Sequence, residues 1–189
     1  MNKDVLLDKI GKLRKIDLIK FVKYNFFTSQ VKRKKGAYII PFKGAVLEMA
    51  QNSELVLEGT IHFGINQLQG SKAETYIRLA ENSKWVCAEE VLLFFGTFID
   101  VHKDALLESK FFSANTGSVI VVGKHISLGH DVMMGRNIVV YDSDFHSIPG
   151  EDGKPINLSK DVIIEDHVWL TNNVCLLYTS PSPRDISGS

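Results

Sequence analysis

Between Ile120 and Val140 the chain repeats itself every six residues. Ile120-x-Val122, Ile126-x-Leu128, Val132-x-Met134 and Ile138-x-Val140 are aliphatic pairs flanking one outward position, and Gly123, Gly129 and Gly135 each follow a pair. Neither an α-helix nor an ordinary hairpin produces this period. Side chains alternate across a strand, so the two members of a pair share one face. The glycine is expected to turn the chain, because it adopts backbone angles that a β-branched residue does not. Each hexad reads as a short strand plus a corner. Stacked coils of such hexads bury their aliphatic pairs in one continuous column.

The same pairing is visible elsewhere. Leu55-x-Leu57, Ile61-x-Phe63, Ile77-x-Leu79, Ile99-x-Val101 and Ala105-x-Leu107 precede the regular stretch. Residues 65–75 break the pattern and read as an outlying loop. The phase slips between Phe111 and Ile120, and in that middle portion a sandwich is an alternative. After Val140 the rhythm stops. Residues 141–161 carry Pro149-Gly150, Asp152-Gly153 and Pro155, all turn signals. It resumes with Val162-x-Ile164, Val168-x-Leu170 and Val174-x-Leu176. Residues 141–161 are therefore a loop extruded from a regular stack, and loops held by a rigid scaffold are where binding and catalytic groups concentrate.

The two ends differ from the repeat. Residues 1–35 hold eleven Lys or Arg against three Asp, a balance of +8 in a chain whose formal net charge is zero. Their apolar stripe, Val5, Leu6, Ile10, Leu13, Ile16, Leu18, Ile19 and Phe21, predicts a helical arm ending in the basic run Lys32 to Lys35. Such an arm either packs on the main body with its charge in water or rests on an anionic membrane surface. The domain expected from the hexads covers 36–174. Residues 175–189 lack aliphatic spacing, and CLLYTSPSPRD from Cys175 resembles the translation of a transposase adapter used in sequencing libraries. That segment is expected to be a non-native tail, with native coils beyond Val174 missing, weak donor binding and poor trimerisation as the consequences. No apolar run approaches the ~18 residues of a membrane span, and the N-terminus lacks the apolar core and cleavage site of a signal peptide. Cys87 and Cys175 make neither a disulfide framework nor a metal spacing. These features predict a cytoplasmic protein with reduced thiols.

The glycine-led hexads, the loop motif Tyr141-Asp-Ser-Asp-Phe-His146 and the returning coil Asp166-His-Val-Trp169-Leu together resemble the hexapeptide-repeat acyltransferases. Within that family the chain is most similar to O-acetyltransferases acting on sugars of capsule or lipopolysaccharide. The resemblance covers about residues 36–175. It implies an all-β fold, a left-handed parallel β-helix with an N-terminal helical segment and an extruded loop. It also implies a homotrimer with active sites between subunits, acetyl-CoA as donor, a saccharide acceptor and no nucleic-acid partner. The basic arm leaves contact with the inner membrane surface open.

Moving an acetyl group from a thioester to a hydroxyl requires that the hydroxyl lose its proton as it attacks. An imidazole suits this task near neutral pH. His146 stands where the family places its catalytic histidine and is expected to be the base. Asp142, Asp144 and His146 alternate, so an extended backbone would put all three on one side. Asp144, or failing it Asp142, is then expected to fix the imidazole tautomer as the acid of a hydrolase triad does. A divalent-ion site and simple turn chemistry are the other readings of these carboxylates. Asn137 is either a substrate contact, as its place in the family implies, or a corner residue that tolerates left-handed angles. Trp169 is either an apolar wall for pantetheine or sugar or a packing partner of the 141–161 loop. A backbone amide is expected to stabilise the oxyanion.

Two rival readings compete. The gamma-type carbonic anhydrases share the trimeric β-helix and bind zinc with three histidines, and His125, His130, His167 and His62 invite that comparison. The D-x-D-x-H loop fits acetyl transfer better, and no metal is expected. The second rival is a non-enzymatic scaffold. The glycines make no phosphate cradle, since no Lys-Ser/Thr pair ends a loop before a helix.

Overall fold

The computed structural model describes residues 15–149, 153–154 and 156–178. Eighteen strands among them wind into six coils of three. The first coil contains β1 (Val31–Arg33), β2 (Ile39–Pro41) and β3 (Ala45–Met49). The second contains β4 (Glu54–Leu57), β5 (Ile61–Ile65) and β6 (Thr75–Leu79); the third, β7 (Lys84–Cys87), β8 (Val91–Phe94) and β9 (Phe98–Val101). The fourth contains β10 (Leu106–Ser109), β11 (Phe112–Ala114) and β12 (Val119–Val122). The fifth holds β13 (His125–Leu128), β14 (Val132–Met134) and β15 (Val139–Tyr141), and the sixth β16 (Val162–Ile164), β17 (Trp169–Leu170) and β18 (Cys175–Leu177). Every third strand joins the same sheet, giving three six-stranded sheets whose strand pairs are all parallel. These are the stacked coils that the hexads predict, in the left-handed parallel β-helix that the family resemblance implies.

Register makes the core continuous. On the third face Leu47, Ile77, Ile99, Ile120, Val140 and Leu176 pair one above the next. On the first, Leu55, Trp85, Leu107, Ile126 and Val162 do the same. Ile77, Ile99, Ile120, Val140, Leu55, Trp85, Leu107 and Ile126 are all buried, and burying each aliphatic side chain is worth about 1.5–3 kcal/mol. The middle portion is part of the same stack, because Phe112 and Ala114 fill the pair positions of β11 and are buried. The slip in phase there is a lengthened corner, not a sandwich.

The glycines of the hexads sit at corners, but not for the expected reason. Left-handed backbone angles at the fifth-coil corners fall on Asp131 (φ 59) and Asn137 (φ 56), two residues after Gly129 and Gly135. Gly129 is needed because the neighbouring coil is too close. A Cβ there would lie 2.5 Å from Asp166 Oδ1 and 2.6 Å from the Glu165 carbonyl carbon. At Gly135 the obstacles are Asn172 Oδ1 and the Thr171 carbonyl oxygen, each at 2.7 Å.

The ends also differ from their sequence reading. Residues 1–14 and 179–189 lie outside the described residues. The coils begin before residue 36, because β1 already pairs with β4. Ahead of it, α1 (Leu18–Val22) runs into a π-helical turn (Lys23–Phe27) and closes the bottom of the stack with Tyr24, whose ring lies 6.3 Å from that of Phe63. Asn25 seals this cap: its amide donates to the Ile39 and Phe21 carbonyls, and its Oδ1 accepts from the Ile39 N–H. At the other end β18 pairs in register with β15. Cys175–Leu177 is the third strand of the sixth coil.

Candidate active site

The extruded loop leaves the third face after β15 and returns to the first face at β16. Pairings of Ile126 with Val162, Met133 with Trp169 and Val139 with Cys175 are each offset by 36 residues. Corresponding pairs one coil earlier, such as Val119 with Val139, are offset by 20. The stack therefore carries on as though the loop were absent.

The alternation of Asp142, Asp144 and His146 predicts one shared side, and the structure separates them. Asp142 turns inward and is 0% exposed. Its carboxylate accepts N–H bonds from Gly123 (2.5 Å), Lys124 (2.7 Å) and His125 (2.7 Å). It closes the corner of the coil below and does not face a cleft. Phe145 has left-handed backbone (φ 57), which breaks the extended run that would have aligned the three side chains.

His146 faces solvent, its side chain 67% exposed. Its Nδ1 lies 2.7 Å from the backbone carbonyl of Asp144. A carbonyl only accepts, so Nδ1 carries the proton and Nε2 presents a lone pair outward. The tautomer expected from an aspartate side chain is thus set by main chain. The Asp144 carboxylate is 4.0 Å from Nε2 and makes no hydrogen bond to it. Its direct partner is Asn157, whose amide nitrogen lies 2.7 and 2.8 Å from the two carboxylate oxygens and 2.6 Å from the His146 carbonyl. Asn157 also accepts from the Ile148 N–H. The hydrogen bond from Asn157 holds the Asp144 carboxyl below its ordinary pKa. Asn157 was not singled out by sequence, because an asparagine in a turn-rich loop carries no periodic signal.

The loop rests on a stacked support. The Phe145 ring lies 4.6 Å from His102 and 5.8 Å from Tyr141. His102 is 3.4 Å from Asp100, and buried Asp100 is held by a two-point pair with Arg78 at 2.8 and 2.5 Å. A cavity of about 280 Å³ opens beside His146, lined by Phe145, Ser147, Asn157 and Leu158 among others. A larger groove of about 610 Å³ crosses the first face along Glu108, Lys110, Ile163 and Asp166. No imidazole lines it, so the chemistry points to the smaller cavity.

The fold does not gather the remaining candidates around His146. Asn137 sits at the corner between the second and third faces and bonds to Asn173 in the next coil at 3.1 Å. Trp169 projects from the second face, 68% exposed; it does not pack under the loop. Four other histidines each lie beside a carboxylate, and the His130 and His167 rings are 5.8 Å apart. His125 lies between Glu108 (3.0 Å) and Asp161 (3.3 Å), at the start of β13. His130, beyond the other end of that strand, pairs with Glu89 at 2.7 Å. His167 pairs with Asp131 at 3.2 Å and His62 with Glu90 at 3.1 Å. Among the described residues no group of three or more His, Cys, Asp or Glu is arranged to hold a metal ion.

No family model matches the chain. Over 104 residues it is 34% identical to the polysialic acid O-acetyltransferase of Neisseria meningitidis, covering 53% of this chain and 48% of that protein. The chain is similar to sugar O-acetyltransferases. A second relative, the polysialic acid O-acetyltransferase of Escherichia coli O1:K1 / APEC, is 27% identical over 96 residues, covering 42% of this chain and 31% of its own length. The chain thus spans about half, or less, of the relatives it matches. Among solved structures, the polySia-specific acetyltransferase NeuO aligns with a TM-score of 0.34 and 19% identity, over 80% of this chain and 66% of that one.

Proposed function

We propose that this protein is an acetyl-CoA-dependent O-acetyltransferase acting on a saccharide hydroxyl, with His146 as the general base. The observation that carries the reading is the outward Nε2 lone pair of His146, on a loop expelled from an otherwise unbroken solenoid. The similarity to two polysialic acid O-acetyltransferases supports it and makes polysialic acid the first acceptor to try.

The step follows from that geometry. Nε2 accepts the hydroxyl proton as the sugar oxygen attacks the thioester carbonyl. The Asp144 carboxylate lies 4.0 Å from that nitrogen. As the tetrahedral intermediate collapses, the C–S bond breaks and the imidazolium returns its proton to the departing thiolate, leaving acetyl ester and free thiol. Backbone amides of the coil supply the oxyanion donors.

The complete site is proposed to form between copies in a homotrimer. Ile148, Ile156 and Leu158 are exposed on the loop, and Met133 and Trp169 are exposed on the second face. Bringing the loop of one copy against the second face of the next would cover these apolar groups and bring Asn137 and Trp169 toward His146. In this arrangement Trp169 walls the pantetheine arm and Asn137 contacts substrate. Because acetyl-CoA is the donor, the reading places the enzyme in the cytoplasm.

The test is acetyl-CoA-dependent thiol release with polysialic acid as acceptor. His146→Ala should lower turnover by about 10²–10⁴ while leaving the melting curve unchanged, since the ring is largely exposed. Turnover within about threefold of wild type would remove His146 from the mechanism.

A further inference from the structure

A terminal cap of a stacked solenoid ordinarily shows polar groups to water, because its other face has already met the core. The N-terminal cap of this protein does not. Its inner face is complete: Tyr24 and Asn25 are buried, the Asn25 bonds are made, and the Tyr24 hydroxyl accepts from the Leu47 N–H at 3.1 Å. Its outer face exposes five large apolar side chains within ten residues: Leu18 (64%), Ile19 (84%), Val22, Phe26 and Phe27 (79%). Among the described residues no other element of comparable length does this, and such an apolar ledge on a chain of even composition marks a contact surface.

The surroundings of the ledge say what that contact is. Residues 15–35 contain seven Lys or Arg (Lys15, Lys20, Lys23, Lys32, Arg33, Lys34, Lys35) and one acidic residue, Asp17, a balance of 7 − 1 = +6. Lys23 lies within the ledge itself, and the Arg33 guanidinium stacks 5.0 Å over the Phe26 ring and 4.8 Å over Tyr38. Two of the lysines are paired across coils, Lys32 with Glu54 and Lys34 with Glu58. Lys15, Lys23 and Lys35 are exposed and have no carboxylate partner among the described residues. Bare isoleucine and phenylalanine tips amid lysines fit the acyl–headgroup boundary of a bilayer, where apolar groups enter and ammonium groups stay with the phosphates. A soluble polyanion would satisfy the lysines and leave Ile19 and Phe27 in water. Among the described residues no helix is long and apolar enough to cross a membrane.

We propose that the ledge formed by α1 and the π-helical turn docks this protein on the surface of an anionic lipid bilayer, with Ile19 and Phe27 inserted and Lys15, Lys23 and Lys35 against the headgroups. The proposal is independent of the acetyl-transfer reading. It is tested by sedimentation of the full chain with phosphatidylcholine vesicles, with and without about 30 mol % phosphatidylglycerol. The expected result is at least tenfold tighter partition, roughly, onto the anionic vesicles. The double variant Ile19→Glu, Phe27→Glu should lose about 100-fold, a factor of about ten per inserted side chain, while melting as wild type does. Lys23→Glu with Lys35→Glu should abolish the preference for anionic lipid. Equal sedimentation with both vesicle types, or undiminished binding by I19E/F27E, would overturn the proposal.

Discussion

Replacing Asp142 by alanine separates a structural role from a substrate-binding one. The carboxylate is fully buried and accepts three main-chain N–H bonds at 2.5–2.7 Å, from Gly123, Lys124 and His125. Hydrogen bonds to a charged acceptor contribute about 1.5–3 kcal/mol each, so three of them bound the gross loss at about 5–9 kcal/mol. Two effects reduce it. Alanine removes the cost of keeping a carboxylate out of water, several kcal/mol. Lys124 is exposed and Gly123 and His125 are half-buried, so water reaches some of the abandoned donors. A net destabilisation of about 3 kcal/mol is expected. With a urea slope of about 2 kcal/mol per molar for a domain of this size, the unfolding midpoint falls by about 1.5 M. Equilibrium urea unfolding followed by tryptophan fluorescence is a suitable measure, since Trp85 is buried beneath this stack. A midpoint shift under about 0.3 M would refute the capping argument. Lost acetyl transfer in a variant of wild-type stability would return Asp142 to the substrate.

Two further outcomes follow from the same contacts. Gly129→Ala should destabilise by about 1–3 kcal/mol in thermal or urea unfolding, because the added Cβ meets not only the Asp166 carboxylate at 2.5 Å but also main-chain atoms of Asp166 and Glu165 at 2.6 Å; an unchanged unfolding midpoint would show that the neighbouring coil yields and that close approach is not the constraint. Loop order should depend on pH. The Asp144 carboxyl is held below its ordinary value by the Asn157 hydrogen bond, so its stabilising contribution is present at neutral pH and is lost as pH falls through that depressed value. Amide exchange at Ile148, whose N–H is bonded to Asn157, should accelerate in acid relative to core amides once intrinsic rates are removed; Asn157→Ala should show fast exchange at every pH.

The sequence alone determined the solenoid, because the repeat is a local property. A pair such as Ile126-x-Leu128 presents one face wherever it is placed, and only stacking buries many such pairs at once. It also located the extruded loop and His146 on it, since the interruption at Tyr141 and the return at Val162 are both legible in the spacing. What the chain could not disclose was anything decided between coils. Gly129 is glycine because Glu165 and Asp166, 36 and 37 residues further along, lie against it. Asp142 faces inward because a corner some twenty residues earlier offers three unpaired N–H groups. Asn157 organises the loop through contacts with Asp144 and His146 that no period announces. Only the assembled coils set these distances, because each is fixed by the stacking height of neighbouring strands and not by the conformational preference of the residue concerned.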